Sequence, residues 1–220
     1  MQEESRVGGQ GVAKTGQPIA AAVRLGVGDN KPGVRCGASP PHLRPTAGAV
    51  RSPATSMKMN PPLRTEADRQ ALIEGLRSGV IDCIATDHAP HARDEKEVPF
   101  EQAPMGTTGL ETSFAAVYTE LVVPGVLGLP LVLERMTSGG ALFGLPIPRI
   151  AQDEPANVCL VDLEATWVVG EDGYESRSEN CCFAGRELRG RVLLTVAAGA
   201  VAFRERAFSV SAAPDPGGSS

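Results

Sequence analysis

Aromatic residues are scarce in this 220-residue chain, and none precedes Phe100: six Phe, two Tyr and one Trp all lie at or beyond that position. A stretch without aromatic side chains lacks the largest contributors to core burial, so the first part of the chain has weak grounds for a core of its own. Histidine is scarcer still, at three residues (His42, His88, His91). The five cysteines (Cys36, Cys83, Cys159, Cys181, Cys182) include no C-x-x-C pair, so neither a disulfide framework nor a zinc ribbon is indicated. Reduced, mostly buried thiols are the expectation. No run of about 18 apolar residues is present to span a bilayer. The start, Met1 to Gly11, is polar and glycine-rich where a secretory signal needs an apolar stretch, which points to a cytoplasmic protein without membrane contact. A strong excess of one charge is also missing: the net charge of −5 argues against a nucleic-acid-coating protein.

That average conceals an asymmetry. Residues 1–57 carry seven Lys/Arg against three Asp/Glu, a local +4 that leaves −9 for the remainder. This piece, rich in Gly and Pro, shows only Ile19 to Leu25 as a short apolar element and reads as a poorly organised N-terminal segment. Order improves at Lys58. Thr65-Glu66-Ala67-Asp68 is a capping-box variant, Ala71, Leu72, Ile73 and Leu76 supply an apolar face, and Gly79 ends the run, which predicts a helix over residues 66–78. Val80 to Thr86 is short and nearly all apolar, as a strand buried on both faces is. A long loop from His88 to Thr108 follows, with Arg93 to Glu97 read as a solvated charge run. Glu111 to Val122 and Leu131 to Ser138 are then expected as helices. From Ala156 the period becomes strand-like, at 158–161, 166–169, 192–196 and 200–203, with turns at Asp172-Gly173 and Ala198-Gly199. Residues 207–220, rich in Ser, Ala, Pro and Gly, read as a tail.

Chemistry concentrates in Thr86-Asp87-His88-Ala89-Pro90-His91, which holds a carboxylate and two of the three histidines directly after a predicted strand. An acid at the C-terminal end of such a strand is where α/β barrels place catalytic groups. It could ligate a metal, or take a proton from a metal-bound water and pass it to a leaving amide nitrogen. The bland alternative is that Asp87 and His88 cap the following turn and His91 lies on the surface. Gly106-Thr107-Thr108-Gly109 lacks the spacing of a phosphate loop and reads as a structural turn.

Three linked segments go further: Lys58-Met59-Asn60-Pro61-Pro62-Leu63-Arg64, Ile84 to His91, and Gly106-Thr107-Thr108-Gly109-Leu110-Glu111-Thr112. In order and spacing they resemble the second half of class I dihydroorotases, cyclic-amide hydrolases of the amidohydrolase superfamily. Ser176-x-Ser178-x-Asn180-x-x-Phe183-x-Gly185, followed by Gly190-Arg191-Val192, resembles the closing stretch of that family's β-sandwich domain. The resemblance covers about residues 58–206. It implies an α/β fold: the distal half of a (β/α) TIM-type barrel, hence an incomplete barrel, over residues 58–150, and a C-terminal β-sandwich segment over 151–206. It also implies conversion of dihydroorotate and water to N-carbamoyl-aspartate in pyrimidine synthesis, with a binuclear zinc cofactor.

Carried residue by residue, the resemblance makes Asp87 the catalytic acid and a zinc ligand. Asn60 and His91 become substrate contacts, and Met105 and Gly106 line the pocket through their backbones. Most of the family's metal ligands find no match: Pro40 and Pro41 stand where a metal histidine would be needed ahead of His42, and three histidines cannot complete a binuclear site. The expectation is therefore a shortened dihydroorotase-like chain. The other reading is a non-catalytic scaffold subunit that binds aspartate carbamoyltransferase or associates with itself.

Overall fold

The computed structural model describes residues 23–25, 35–44, 54–142 and 144–208. The proposed tail beyond residue 208 and most of the N-terminal piece lie outside the described residues.

The first sheet orders β1 (Val23–Leu25), β2 (Arg35–Ala38) and β3 (Cys83–Ile84), with β1 antiparallel and β3 parallel to β2. Between the parallel strands run a one-turn helix α1 (Pro40–Leu43), a 3-10 turn at Thr55–Met57 and the helix α2 (Glu66–Ser78). Helix α2 has the predicted bounds and the predicted cap. The Thr65 N–H donates to Asp68 Oδ2 at 3.1 Å while Asp68 N–H donates to Thr65 Oγ1 at 3.3 Å, so two otherwise orphaned donors are satisfied reciprocally. Gly79 stops it in the left-handed region, at φ +81°. Leu72, Ile73 and Leu76 are buried against Ala38, Ile84, Leu121 and Val132. Each such side chain contributes roughly 1.5–3 kcal/mol of burial.

The strand expected over residues 80–86 shrinks to Cys83–Ile84, and Val80 is 73% exposed rather than buried on both faces. The limit is set by the partner: β2 is four residues long and pairs Gly37 with Cys83 and Ala38 with Ile84. Asp82 N–H to Cys36 O at 2.9 Å and Ala85 N–H to Ala38 O at 3.0 Å complete what the partner can accept.

Past β3 come a one-turn helix α3 (Arg93–Lys96), α4 (Ser113–Val117) running into a π-helical turn at Tyr118–Val122, α5 (Leu129–Thr137) and a final turn α6 (Gly139–Leu142). The second sheet is antiparallel in the order β4 (Val158–Val168), β5 (Glu187–Ala197), β6 (Ala200–Arg204). The two short strands expected at 158–161 and 166–169 are one strand with a register shift between Asp162 and Thr166. Asp162 Oδ1 accepts from the N–H groups of Glu164 and Ala165 at 2.9 and 3.1 Å, which satisfies the backbone where the ladder is interrupted. The expected turn at Ala198-Gly199 joins β5 to β6, both residues at positive φ. A second core holds this half against α4: Met59, Ala115, Ala116, Val169, Phe183 and Leu188 with Cys181 and Cys182. All five cysteines are free, Cys159 exposed and Cys83, Cys181 and Cys182 buried. Among the described residues, no helix is long and apolar enough to cross a membrane.

Candidate active site

Asp87 lies three residues past β3, at the C-terminal end of the parallel strand, and is exposed. Its carboxylate makes no hydrogen bond or ion pair with the described residues, and its charge acts on the imidazole of His42. That imidazole is tied at both nitrogens: Nδ1 meets Ser39 Oγ at 2.7 Å and Nε2 meets the Pro61 carbonyl at 2.9 Å. A carbonyl only accepts, so Nε2 carries the hydrogen and Nδ1 takes the hydroxyl of Ser39. Burial pushes the His42 pKa down, opposed by the Pro61 carbonyl and by Asp87. Asn60 sits beside the held Pro61, exposed and without a side-chain hydrogen bond among the described residues.

A second group is assembled from the loop 88–108 and from residues about 90 positions downstream. His88 Nδ1 accepts from the backbone N–H groups of Gly109 and Leu110 at 3.1 and 3.3 Å. The His91 ring donates from Nε2 to the Met105 carbonyl at 3.0 Å and places Nδ1 3.4 Å from Glu95. The His91 N–H meets Ser178 Oγ at 3.2 Å and Asn180 Oδ1 at 3.1 Å. The Asn180 amide donates back to Ala89 O at 3.0 Å and Gly106 O at 3.3 Å. Ser178 Oγ contacts both the His91 carbonyl and Asn180 Oδ1, and its single hydrogen serves one at a time. Gly106 adopts φ +138°, and a Cβ there would lie 2.7 Å from Ala89 Cβ and 2.9 Å from His91 Nε2, so only glycine fits. The Gly106 N–H donates to Lys58 O at 2.8 Å, which ties this group to the segment carrying Asn60.

Sequence reasoning missed several of the groups that hold the site. Lys96, read within a solvated charge run, is 7% exposed and donates to Thr55 O at 3.0 Å and Pro104 O at 2.8 Å; burial, reinforced by Lys58, pushes its pKa down. Arg44 donates to Cys182 O at 2.9 Å and lies over the Phe183 ring. The carboxylate of Glu111 accepts from the N–H groups of Glu175 and Ser176 at 2.9 and 2.7 Å, fastening the 106–112 turn to the second half of the chain. The motif Ser176-x-Ser178-x-Asn180 was the visible signal for part of this, though nothing local in it says what it binds.

The donor set does not fit a binuclear metal. Among the described residues no cluster of three or more His, Cys, Asp or Glu is placed to hold an ion. Both ring nitrogens of His42 and Nε2 of His91 are engaged, and His88 Nδ1 is occupied by two amides. Asp87 and Nε2 of His88 are left without a hydrogen bond or ion pair among the described residues, too few donors for a binuclear site.

No protein-family model matches the chain. Among curated proteins it is similar to the dihydroorotase of Wolbachia sp. subsp. Drosophila simulans (strain wRi), 42% identical over 174 residues, which cover 79% of this chain and 39% of that protein. It is likewise 42% identical over 193 residues to the dihydroorotase of Streptococcus pyogenes serotype M3 (strain ATCC BAA-595 / MGAS315), covering 87% of this chain and 44% of that one. Among solved structures, the L-hydantoinase (dihydropyrimidinase) of Arthrobacter aurescens superposes with a TM-score of 0.69 at 28% identity, over 77% of this chain and 39% of that one. The D-hydantoinase (dihydropyrimidinase) of Thermus sp. gives 0.67 at 26% identity, over 76% and 39%. The chain spans about two fifths of the length of the relatives it matches.

Proposed function

Because this chain is a partial member of the dihydroorotase family, within the amidohydrolases, we propose that it carries the proton-handling side of a cyclic-amide hydrolase site. The first sheet, in which β1 and β2 from residues 1–57 join β3 of the 58–150 unit, is then a portion of a (β/α) barrel, and the second sheet, within 151–206, a portion of a β-sandwich. The observation that carries the reading is Asp87: an exposed carboxylate with no hydrogen bond or ion pair among the described residues, at the C-terminal end of a parallel strand and within electrostatic reach of His42. A side chain left unpartnered while its neighbours are locked is available to a ligand.

The reaction is hydrolysis of dihydroorotate to N-carbamoyl-aspartate. Asp87 takes a proton as water oxygen adds to the ring carbonyl carbon, then returns it to the ring nitrogen as the C–N bond breaks, so proton and electron pair balance within one turnover. Asn60 and His91 bind the substrate, and the backbone at Met105 and Gly106 shapes the pocket wall. Zinc serves the family as Lewis acid, and Asp87 is the zinc ligand in this reading. The described histidines do not complete such a site, so further donors have to come from elsewhere in an assembly.

The second reading is a non-catalytic subunit bound to aspartate carbamoyltransferase or to another copy of itself, a role that needs no metal cluster among the described residues. The test measures dihydroorotate hydrolysis by the purified chain, alone and mixed with the carbamoyltransferase, together with bound zinc. Activity that falls about 10²–10⁴-fold in Asp87→Asn supports the enzyme reading. Metal-free co-elution with the carbamoyltransferase, with no turnover in either state, sinks it in favour of the scaffold.

A further inference from the structure

His88 stands next to the proposed acid, yet neither reading above gives it a task. Its geometry does. A backbone N–H can only donate, and Nδ1 of His88 receives two of them, from Gly109 and Leu110. Nδ1 is therefore the bare nitrogen and Nε2 carries the hydrogen. Nε2 of His88 has no partner among the described residues.

The two amides belong to the turn that leads into α4. The next residue, Glu111, grips the backbone of Glu175 and Ser176 through its carboxylate. Beside the imidazole, His88 pairs with Thr107 as a parallel bridge, and the Ala89 N–H donates to Thr107 O at 3.0 Å. The residue after Asp87 is thus pinned through its ring and its backbone to one turn, and that turn is pinned to the second half of the chain.

The geometry points to His88 as a positioning residue, whose Nδ1 lone pair gathers the Gly109 and Leu110 amides and thereby sets where the Asp87 carboxylate stands. The inference deepens the hydrolase reading and rests on it for the importance of Asp87. The geometric claim itself can be tested without turnover. The role also accounts for the residue type: asparagine carries its side-chain oxygen at the distance from the backbone where histidine has Nδ1, whereas glutamine carries its oxygen near the position of Nε2.

The experiment is NMR on the full-length chain, wild type and His88→Ala, His88→Asn and His88→Gln. It reads ring ¹⁵N shifts, amide exchange at Gly109 and Leu110, and the Asp87 side-chain carboxyl ¹³C resonance. The expected result is an Nε2–H tautomer in the wild type. In His88→Ala, exchange at the two amides rises about tenfold and the Asp87 carboxyl resonance shifts. His88→Asn restores both, and His88→Gln restores neither. An Nδ1–H tautomer overturns the inference, as does rescue by glutamine instead of asparagine. An Asp87 resonance that stays put while the two amides lose protection reduces His88 to a fastening with no bearing on the acid, which also overturns it. Should His88→Ala fail to fold, the wild-type tautomer and the contrast of asparagine with glutamine decide the matter. Failure to hydrolyse dihydroorotate counts against the hydrolase reading and leaves each of these results standing.

Discussion

Replacing Asn180 by alanine removes the clasp between the loop 88–108 and the second half of the chain. The side chain is 8% exposed, and its amide is the donor to the carbonyls of Ala89 and Gly106. Its Oδ1 is one of two acceptors for the His91 N–H, the other being Ser178 Oγ. Alanine therefore strands two carbonyls while the His91 N–H keeps a partner. A stranded buried acceptor costs about 1–3 kcal/mol, and with Ala89 only half-buried the sum is about 2–4 kcal/mol. For a chain of this size that lowers Tm by about 5–15 °C. Asn180→Asp sharpens the test, because it preserves shape and Oδ1 but faces two carbonyls with an acceptor in place of a donor. At neutral pH it should be at least as destabilising as alanine, and it should recover part of the loss in acid, where a protonated carboxyl can donate once. Thermal unfolding followed by circular dichroism measures both. An Asn180→Ala protein that melts within about 1 °C of wild type, or an aspartate variant indistinguishable from it at pH 7, refutes the account of how this loop is held.

Gly106→Ala should lose at least about 1–3 kcal/mol, since φ +138° disfavours any side chain and the new Cβ would press on Ala89 and His91; urea denaturation reads it, and a wild-type midpoint would count against the cramped geometry. Burial pushes the Cys182 thiol from 9.0 up to about 11, so the folded state keeps its proton where the unfolded state has lost it. Stability is then unaffected by this group below pH 9 and declines between pH 9 and about 11, and Cys182→Ala should flatten that decline in denaturation curves taken across the range. A decline of equal steepness in the variant would assign it to other groups.

The parts of the fold that the sequence announced are those dictated by neighbours along the chain. Helix α2 was legible because its cap, apolar face and terminating glycine all lie within Thr65 to Gly79. The strand after it was overestimated because strand length depends on a partner, β2, whose extent no local pattern reveals. Lys96 was misread because alternating charge looks the same whether the ammonium meets water or the carbonyls of Thr55 and Pro104. In the candidate site, the expectation for Asp87, Asn60, His91, Met105 and Gly106 came from linked motifs. The tasks of Ser178 and Asn180 emerge only when segments about 90 residues apart are brought together, and that of His88 only when the turn at Gly109 and Leu110 folds back on it.

That separation has a consequence for the order of events as the chain is made. Part of the hydrogen bonding that fixes residues 89–91 reaches to Ser178 and Asn180, across 87 to 91 positions, so the fastening of the loop beside Asp87 cannot be completed during synthesis until those residues have left the ribosome. Closing so long a loop carries an entropic cost that only the finished sheet and its neighbouring core offset, which makes this a late step of folding. Until then the loop that carries the acid has only its nearer fastenings, from His88 to Gly109 and Leu110 and from His91 to Met105. The positioned candidate site is a property of the completed tertiary structure, and the motif around Asp87 alone does not supply it.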